Sequence, residues 1–470
     1  MSTGKFHIDD NRQLTHEQQG VRGKMSKRRR AITGVILAVL IVAFCLSPQF
    51  RSIYNLPPNM RVMEGEATLF TVNFPLTMTV NQETDSSIRL SSKLPLYSPS
   101  RPVSLEPVKL GKAILEFKLL GVIPIRTVQV DVLPPLKLVP GGHSIGVVLH
   151  SQGVIVVGNS PVRSRDGQYH TPAKEAGIHV GDVILSVNGS SIQSDSQLAE
   201  LIDASGRTHQ PVTFLIKRAQ EKLQLSVNPV ICEDTKRYRI GLFVRDSAAG
   251  VGTLTFYDSD SKTYGALGHV ITDSDTNQPI DCDQGKIVLA TVSGIQQGKR
   301  GQPGEKIGVF IDEDQVIGDI RKNTPFGIYG KMKNNLDNSL YSEAVPVASM
   351  SQVQVGAAEI LTVVDGQTID RFQIEIQKIN LQESPEGKGL VLKVTDQRLI
   401  EKTGGIVQGM SGSPILQDGK IVGAVTHVFV HDPTKGYGCF IDWMLMESGV
   451  IPQKDRKTAK RLFSLFGGFY

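Results

Sequence analysis

Along most of this chain the hydrophobic positions fall in short β-branched runs, broken by glycine, proline and asparagine. That pattern predicts strands and tight turns rather than long helices. One run stands apart. From Ala31 to Ser47 the sequence AITGVILAVLIVAFCLS is uncharged and apolar, and it directly follows Lys27-Arg28-Arg29-Arg30. A basic flank before an apolar run predicts a transmembrane anchor with the body of the protein across the membrane. The run is a little short of the roughly 20 residues a span needs, so a cleaved signal peptide is the alternative. No Ala-x-Ala site follows, and Phe44 before Cys45 spoils a lipoprotein-type box; both favour a retained anchor over 31–47, behind a basic leader at 1–30.

Residues 48–60, with three prolines, read as a linker, and short runs such as Ala67–Val72 and Ala113–Leu119 predict a small β domain, the two together filling 48–135. Pro134-Pro135 and Pro140-Gly141-Gly142 then mark a boundary. Beyond it the pattern orders as strand (Ser144–Leu149), strand (Gly153–Val157), short helix (Pro172–Ile178), strand closed by Asn188-Gly189, helix (Ser194–Ala204) and strand (Val212–Ile216). This order, centred on PAKEAGIHVGDVILSVNG, resembles a PDZ domain over 136–230. The resemblance implies a peptide added as a strand beside the loop Ser144-Ile145-Gly146-Val147, which departs from the commoner Gly-Leu-Gly-Phe. From 231 to 452 strands and glycine turns predominate, as a β-barrel domain requires, and 453–470 is a basic tail.

Composition narrows the function classes. The chain has 470 residues, 40% hydrophobic and 21% charged, with 46 glycines and 24 prolines, so the fold class is mainly β with several domains. The formal charge of +5 arises wholly in residues 1–30, where eight Lys or Arg oppose three acidic residues. The remainder is neutral overall and lacks the field that attracts phosphate backbones, which excludes nucleic acid as a partner. The four cysteines show no CxxC spacing, and neither a metal site nor a cofactor is expected.

The chemistry gathers near the C-terminus. In Gly409-Met410-Ser411-Gly412-Ser413-Pro414 a serine lies in a glycine-flanked turn, which can expose its hydroxyl and direct backbone amides at a developing oxyanion. Ser411 is the candidate nucleophile, and the amides of Gly409 and Ser411 are the candidate oxyanion hole. His269, in Gly265-Ala266-Leu267-Gly268-His269, precedes the serine in the order of the chymotrypsin group and is the candidate base. His427 and His431 compete for that role, 16 and 20 residues after the serine, and on one strand face they also raise a metal reading. For the acid, Asp396 stands beside rivals Asp281, Asp365 and Asp370.

Taken with the anchor and the PDZ-like segment, the strings GALGHVITD and GGIVQGMSGSPILQDGKIVGAVTHVFVHDPTKGYGCFIDWML resemble the stage IV sporulation protein B peptidases of endospore-forming bacteria. The resemblance implies a PDZ domain joined to a chymotrypsin-like double β-barrel, with Ser411 as nucleophile, His269 as base and Asp396 as acid. It also implies a signalling endopeptidase of the forespore membrane, its body between the two spore membranes. Such a protease cleaves itself and then a membrane-bound regulator of an intramembrane protease, so that a late mother-cell sigma factor is activated. The spacing of 127 residues from His269 to Asp396 and 15 from Asp396 to Ser411 departs from the digestive enzymes. A membrane-anchored PDZ adaptor with an inactive peptidase-like domain is the competing class.

Overall fold

The computed structural model describes residues 29–450, apart from 30, 41, 55, 57, 74, 82–86, 93–99, 311–314 and 381–385. The basic leader, except Arg29, and the tail at 453–470 therefore lie outside the described residues. The chain divides into two compact units, one holding 1–60 and 67–131, the other 61–66 and 132–470.

In the first unit residues 31–40 and 42–46 are helical, with apolar side chains such as Val35, Leu37 and Val39 exposed. Among the described residues no helix is long and apolar enough to cross a membrane, so the transmembrane helix expected over 31–47 is not displayed. The expected β character of the following segment is present. Ile123–Leu133, Gly111–Leu119 and Leu76–Asn81 run side by side, and Ser100–Pro107 lies between Thr68–Asn73 and Ile88–Ser92. Alternation along Gly111–Leu119 buries Ala113, Leu115 and Phe117 on one face.

The second unit carries the site. Its strands and helices begin with β1 (Lys137–Pro140), β2 (Ser144–Asn159), α1 (Pro172–Glu175), β3 (Val183–Val187), α2 (Asp195–Arg207), β4 (Val212–Arg218) and β5 (Glu221–Val227). Ser194 caps α2 by accepting from the Gln197 amide. Asn188 and Gly189, both left-handed, turn the chain after β3. The apolar faces of β2, β3, β4 and α2 close over a separate core that includes Val154, Ile184, Leu198 and Phe214.

Next come β6 (Leu242–Tyr257), β7 (Thr263–Ala266), β8 (Cys282–Gln296) and β9 (Glu305–Phe310). Strand β2 does not end with the PDZ-like module. Its 16 residues pair with β6 along one edge, from Leu242↔Asn159 to Thr253↔Ser144. The other edge is shared: β3 takes Val154 and Ile155, and β8 takes Ile145 to Ser151. The expectation of an open, peptide-accepting edge at Ser144, Ile145, Gly146 and Val147 is corrected here. All four are buried between β6 and β8, and no backbone edge is left for an added strand. At the boundary before them, β1 pairs with β6.

Six further strands, β10 (Gly356–Val363), β11 (Ile369–Ile379), β12 (Leu390–Val394), β13 (Pro414–Gln417), β14 (Lys420–Phe429) and β15 (Asp432–Phe440), close a barrel in the order β10-β11-β12-β15-β14-β13. Between them runs α3 (Gln397–Thr403), and α4 (Ile441–Ser448) follows. The expected double barrel is thus one closed barrel beside a sheet of 14 strands that continues into the PDZ-like module.

Candidate active site

The turn that holds Ser411 enters the barrel between α3 and β13, and β6 pins it from below. Thr253 and Thr255 are fully buried, and their hydroxyls donate to the carbonyls of Gly409 (2.7 Å) and Gly412 (2.8 Å). The Thr253 amide donates to the Ser411 carbonyl at 3.0 Å. These contacts demand glycine at position 412. Its φ is +93°, and a Cβ there would stand 2.1 Å from the Thr253 carbonyl oxygen.

Within the turn the amides of Met410, Gly412 and Ser413 donate to Val407, Val425 and Met410. The amides of Gly409 and Ser411 donate to nothing among the described residues. Two unspent donors flanking a serine are what an incoming carbonyl oxygen requires. The Ser411 hydroxyl itself donates to the Thr426 carbonyl at 2.8 Å.

His269 arrives from the other half of the unit. After β7, Leu267 and Gly268 both adopt left-handed angles and turn the chain out of the sheet. A Cβ at Gly268 would lie 3.0 Å from Thr426 Cγ2, so this segment passes close beside the strand that receives the serine proton. His269 and Ser411 line one cavity of about 760 Å³, together with Thr426 and His427.

The half-buried imidazole of His269 has its Nδ1 2.8 Å from the Val270 carbonyl oxygen. A carbonyl only accepts, so Nδ1 carries the proton and Nε2 presents a lone pair, which is the tautomer a general base needs. Burial holds the pKa of His269 below its ordinary value of 6.5, with the Val270 bond opposing. His427 lies with its ring centroid 5.2 Å from that of His269. Burial, then the charges on His269 and Lys388, push it down to about 4, so neutral pH leaves it uncharged.

Asp396 is not brought to this cavity. Its carboxylate caps α3 by accepting from the Arg398 amide at 3.0 Å and pairs with the Arg398 guanidinium at 2.8 Å. The Arg398 hydrogen bond holds its pKa below the usual carboxylate value, against burial. Asp281 pairs with Lys217 and Asp365 with Lys402; neither they nor Asp370 line the cavity. His431 sits exposed in the turn after β14. Among the described residues no cluster of His, Cys, Asp or Glu could hold a metal.

Two participants escaped sequence reasoning. One is the Val270 carbonyl, a backbone group carrying no side-chain signal. The other is Lys306 on β9, only 2% exposed, whose ammonium donates to Thr362 at 2.8 Å and Thr253 at 3.4 Å.

A cavity-lining hydroxyl in a tight turn with two unspent amides, sharing that cavity with an imidazole in the basic tautomer, defines a serine peptidase, here joined to a PDZ module. Residues 236–445 match the family described as SpoIVB peptidase S55, and residues 144–228 match the PDZ domain. The peptidase match lies in the C-terminal part of the chain and agrees with the family that the sequence resembles. Serine protease HTRA1 of Xenopus tropicalis is 39% identical over 59 residues, and that of Xenopus laevis 37%. The match spans 13% of this chain and only 12% of the length of those relatives. Among solved structures, the active form of the Rv3671c protease from M. tuberculosis aligns at 12% identity and a TM-score of 0.26, over 43% of this chain and 74% of that one. The PDZ domain of an SdrC-like protein from Listeria monocytogenes aligns at 19% identity and a TM-score of 0.16, over 20% and 87%.

Proposed function

We propose that this chain is a regulatory serine endopeptidase in which Ser411 attacks, His269 is the base, and the amides of Gly409 and Ser411 receive the oxyanion. The observation that carries the reading is the pairing of unspent amides around Ser411 with the Nδ1-protonated imidazole of His269 in one cavity. Rotation of the Ser411 side chain takes its proton from the Thr426 carbonyl to Nε2 of His269. As Oγ bonds to the scissile carbonyl carbon, the proton passes to Nε2 and negative charge grows on the carbonyl oxygen between the two amides. The imidazolium keeps its Nδ1–H on the Val270 carbonyl, whose dipole stabilises it. It then gives the Nε2 proton to the departing amine, and water repeats the sequence to free the acyl group.

The family supports the finer reading that the substrates are few: the chain itself, then a membrane-bound regulator of an intramembrane protease, met in the space between the forespore membranes. Retention at the forespore membrane through the segment at 31–47 belongs to the same proposal. Because β2 is paired on both edges, the PDZ module would guide substrates by a surface other than the Ser144–Val147 edge.

The test is to incubate purified chain, sequence new N-termini, and follow covalent labelling by a fluorophosphonate. Ser411→Ala is expected to abolish labelling and self-cleavage while leaving the melting profile in place. Labelling that persists in this variant overturns the nucleophile. Full activity in His269→Ala, with loss in His427→Ala, overturns the base.

A further inference from the structure

Lys306 is a lysine with no counter-charge among the described residues, closed inside the protein directly behind the nucleophile turn. Buried lysines are rare unless paired, and here the polar partners of the ammonium are two hydroxyls, Thr362 of β10 and Thr253 of β6. Its stem lies flat against Gly409: a Cβ built there would meet Cβ, Cγ and Cδ of Lys306 at 3.1–3.2 Å. Its backbone amide donates to the Gln408 carbonyl at 3.0 Å. Thr253 extends the contact, since its single hydroxyl proton goes to the Gly409 carbonyl at 2.7 Å. The oxygen lone pairs are left to accept from the ammonium.

We infer that Lys306 is a positioning residue for the peptidase reaction: through Thr253 it fixes the Gly409–Ser411 turn with the amides of 409 and 411 unspent, and it sets a positive charge behind the forming oxyanion. This rests on the assignment of Ser411 as nucleophile. The chain Lys306 Nζ to Thr253 Oγ1 to Gly409 carbonyl orients the peptide plane between 409 and 410. The stem meanwhile fills the space that any alternative path of Gly409 would need. A fixed cation in a water-excluded site is worth more to a developing oxyanion than the same charge in solvent.

Charge state follows from surroundings. Thr253, Thr362, Gln408 and Gly409 do not ionise, nor does Ile295, opposite Lys306 on β8. The charged or titratable groups of the cavity wall are Arg245, His269 and His427. Arg245 is committed to Asp273 and Asp275. Burial alone lowers the lysine to about 7, so the amine is cationic below that pH and neutral above it.

The test measures the second-order rate of fluorophosphonate labelling across pH 5–9 for the intact chain and for Lys306→Met, Thr253→Val and the double variant. Lys306→Met keeps the length of the stem, and Thr253→Val keeps the shape of the residue. Each single variant is expected to label on the order of 10²-fold more slowly, the loss of about one oxyanion donor. The double variant should be no slower than the worse single, because both break one path. The unmodified chain should lose rate as pH rises through about 7, a limb absent from Lys306→Met. Lys306→Met labelling within about twofold of the unmodified chain at every pH, with the same profile, overturns the inference alone. Normal labelling of Thr253→Val overturns the path through Thr253. If the unmodified chain does not label at Ser411, the peptidase reading falls and this inference with it.

Discussion

Asp396 supplies the sharpest division between what family resemblance implies and what the geometry does. If it were the acid of a triad, replacing it by asparagine would leave the fold alone and slow acylation by about 10⁴-fold, equivalent to about 5 kcal/mol of transition-state stabilisation. The structure assigns its oxygens elsewhere. One side-chain oxygen caps α3, and the carboxylate pairs with Arg398, whose side chain is 67% exposed. Asparagine caps nearly as well as aspartate, and the ion pair, buried at Asp396 but exposed at Arg398, contributes about 1 kcal/mol. Asp396→Asn should therefore cost about 1 kcal/mol of stability and leave fluorophosphonate labelling within a few-fold. Asp396→Ala also loses the cap and should cost about 2 kcal/mol, again without a matching loss of labelling. The pKa of Asp396 is depressed, so the ion pair contributes fully above the ordinary carboxylate range. That contribution is lost as pH falls through the folded value. Thermal melts at pH 7 and in acid, beside labelling rates at 25 °C, separate the two roles. A folded Asp396→Asn that labels 10³-fold more slowly would refute the capping account and restore the triad.

Other outcomes follow from the same contacts. Because burial lowers the pKa of His269 below 6.5, its base form persists further into acid than that of an exposed histidine. The acid limb of labelling should lie below pH 6.5, whereas a limb at or above 6.5 would contradict the buried neutral imidazole. Gly412→Ala forces a Cβ to 2.1 Å from the Thr253 carbonyl oxygen at a φ of +93°. Both melting temperature and labelling should drop, by several kcal/mol for the stability. Lys306 should make the protein more stable as pH rises from about 7 towards 10.5, because the unfolded lysine holds a proton that the folded one has released. The slope is at most about 1.4 kcal/mol per pH unit, and urea melts of Lys306→Met should lack it.

What could be read along the chain was whatever local chemistry enforces. Asn188-Gly189 can hardly do other than turn, Ser194 is placed to cap, and glycines around Ser411 announce a hydroxyl held in a strained turn. The strand order of the PDZ-like segment was legible for the same reason. Partners set by distant pairing were not. Ser144–Leu149 and Gly153–Val157 read as two separate strands, and only the long pairing with β6 merges them into one. An aspartate before a helical segment reads equally as a cap or as an acid, and the choice depends on where Arg398 folds. Lys306 in Glu305-Lys306-Ile307 alternates with exposed apolar neighbours, so its sequence context gives no sign that it points inward.

The placement of β6 joins these threads into one mechanical statement. At its start Leu242 and Val244 pack on the core of the PDZ module. Eleven residues after Leu242, Thr253 holds the carbonyls of Gly409 and Ser411, and Thr255 holds that of Gly412. A strand has a side-chain period of two, so a slip of one residue would turn Thr253 and Thr255 away from the turn and strand their buried carbonyl partners. Pairing with β2 from Asn159 to Ser144 is what forbids that slip. The burial of Ser144–Val147 between β6 and β8 thereby acquires a catalytic meaning: the segment expected to receive a peptide instead fixes the register of the strand on which the nucleophile turn rests.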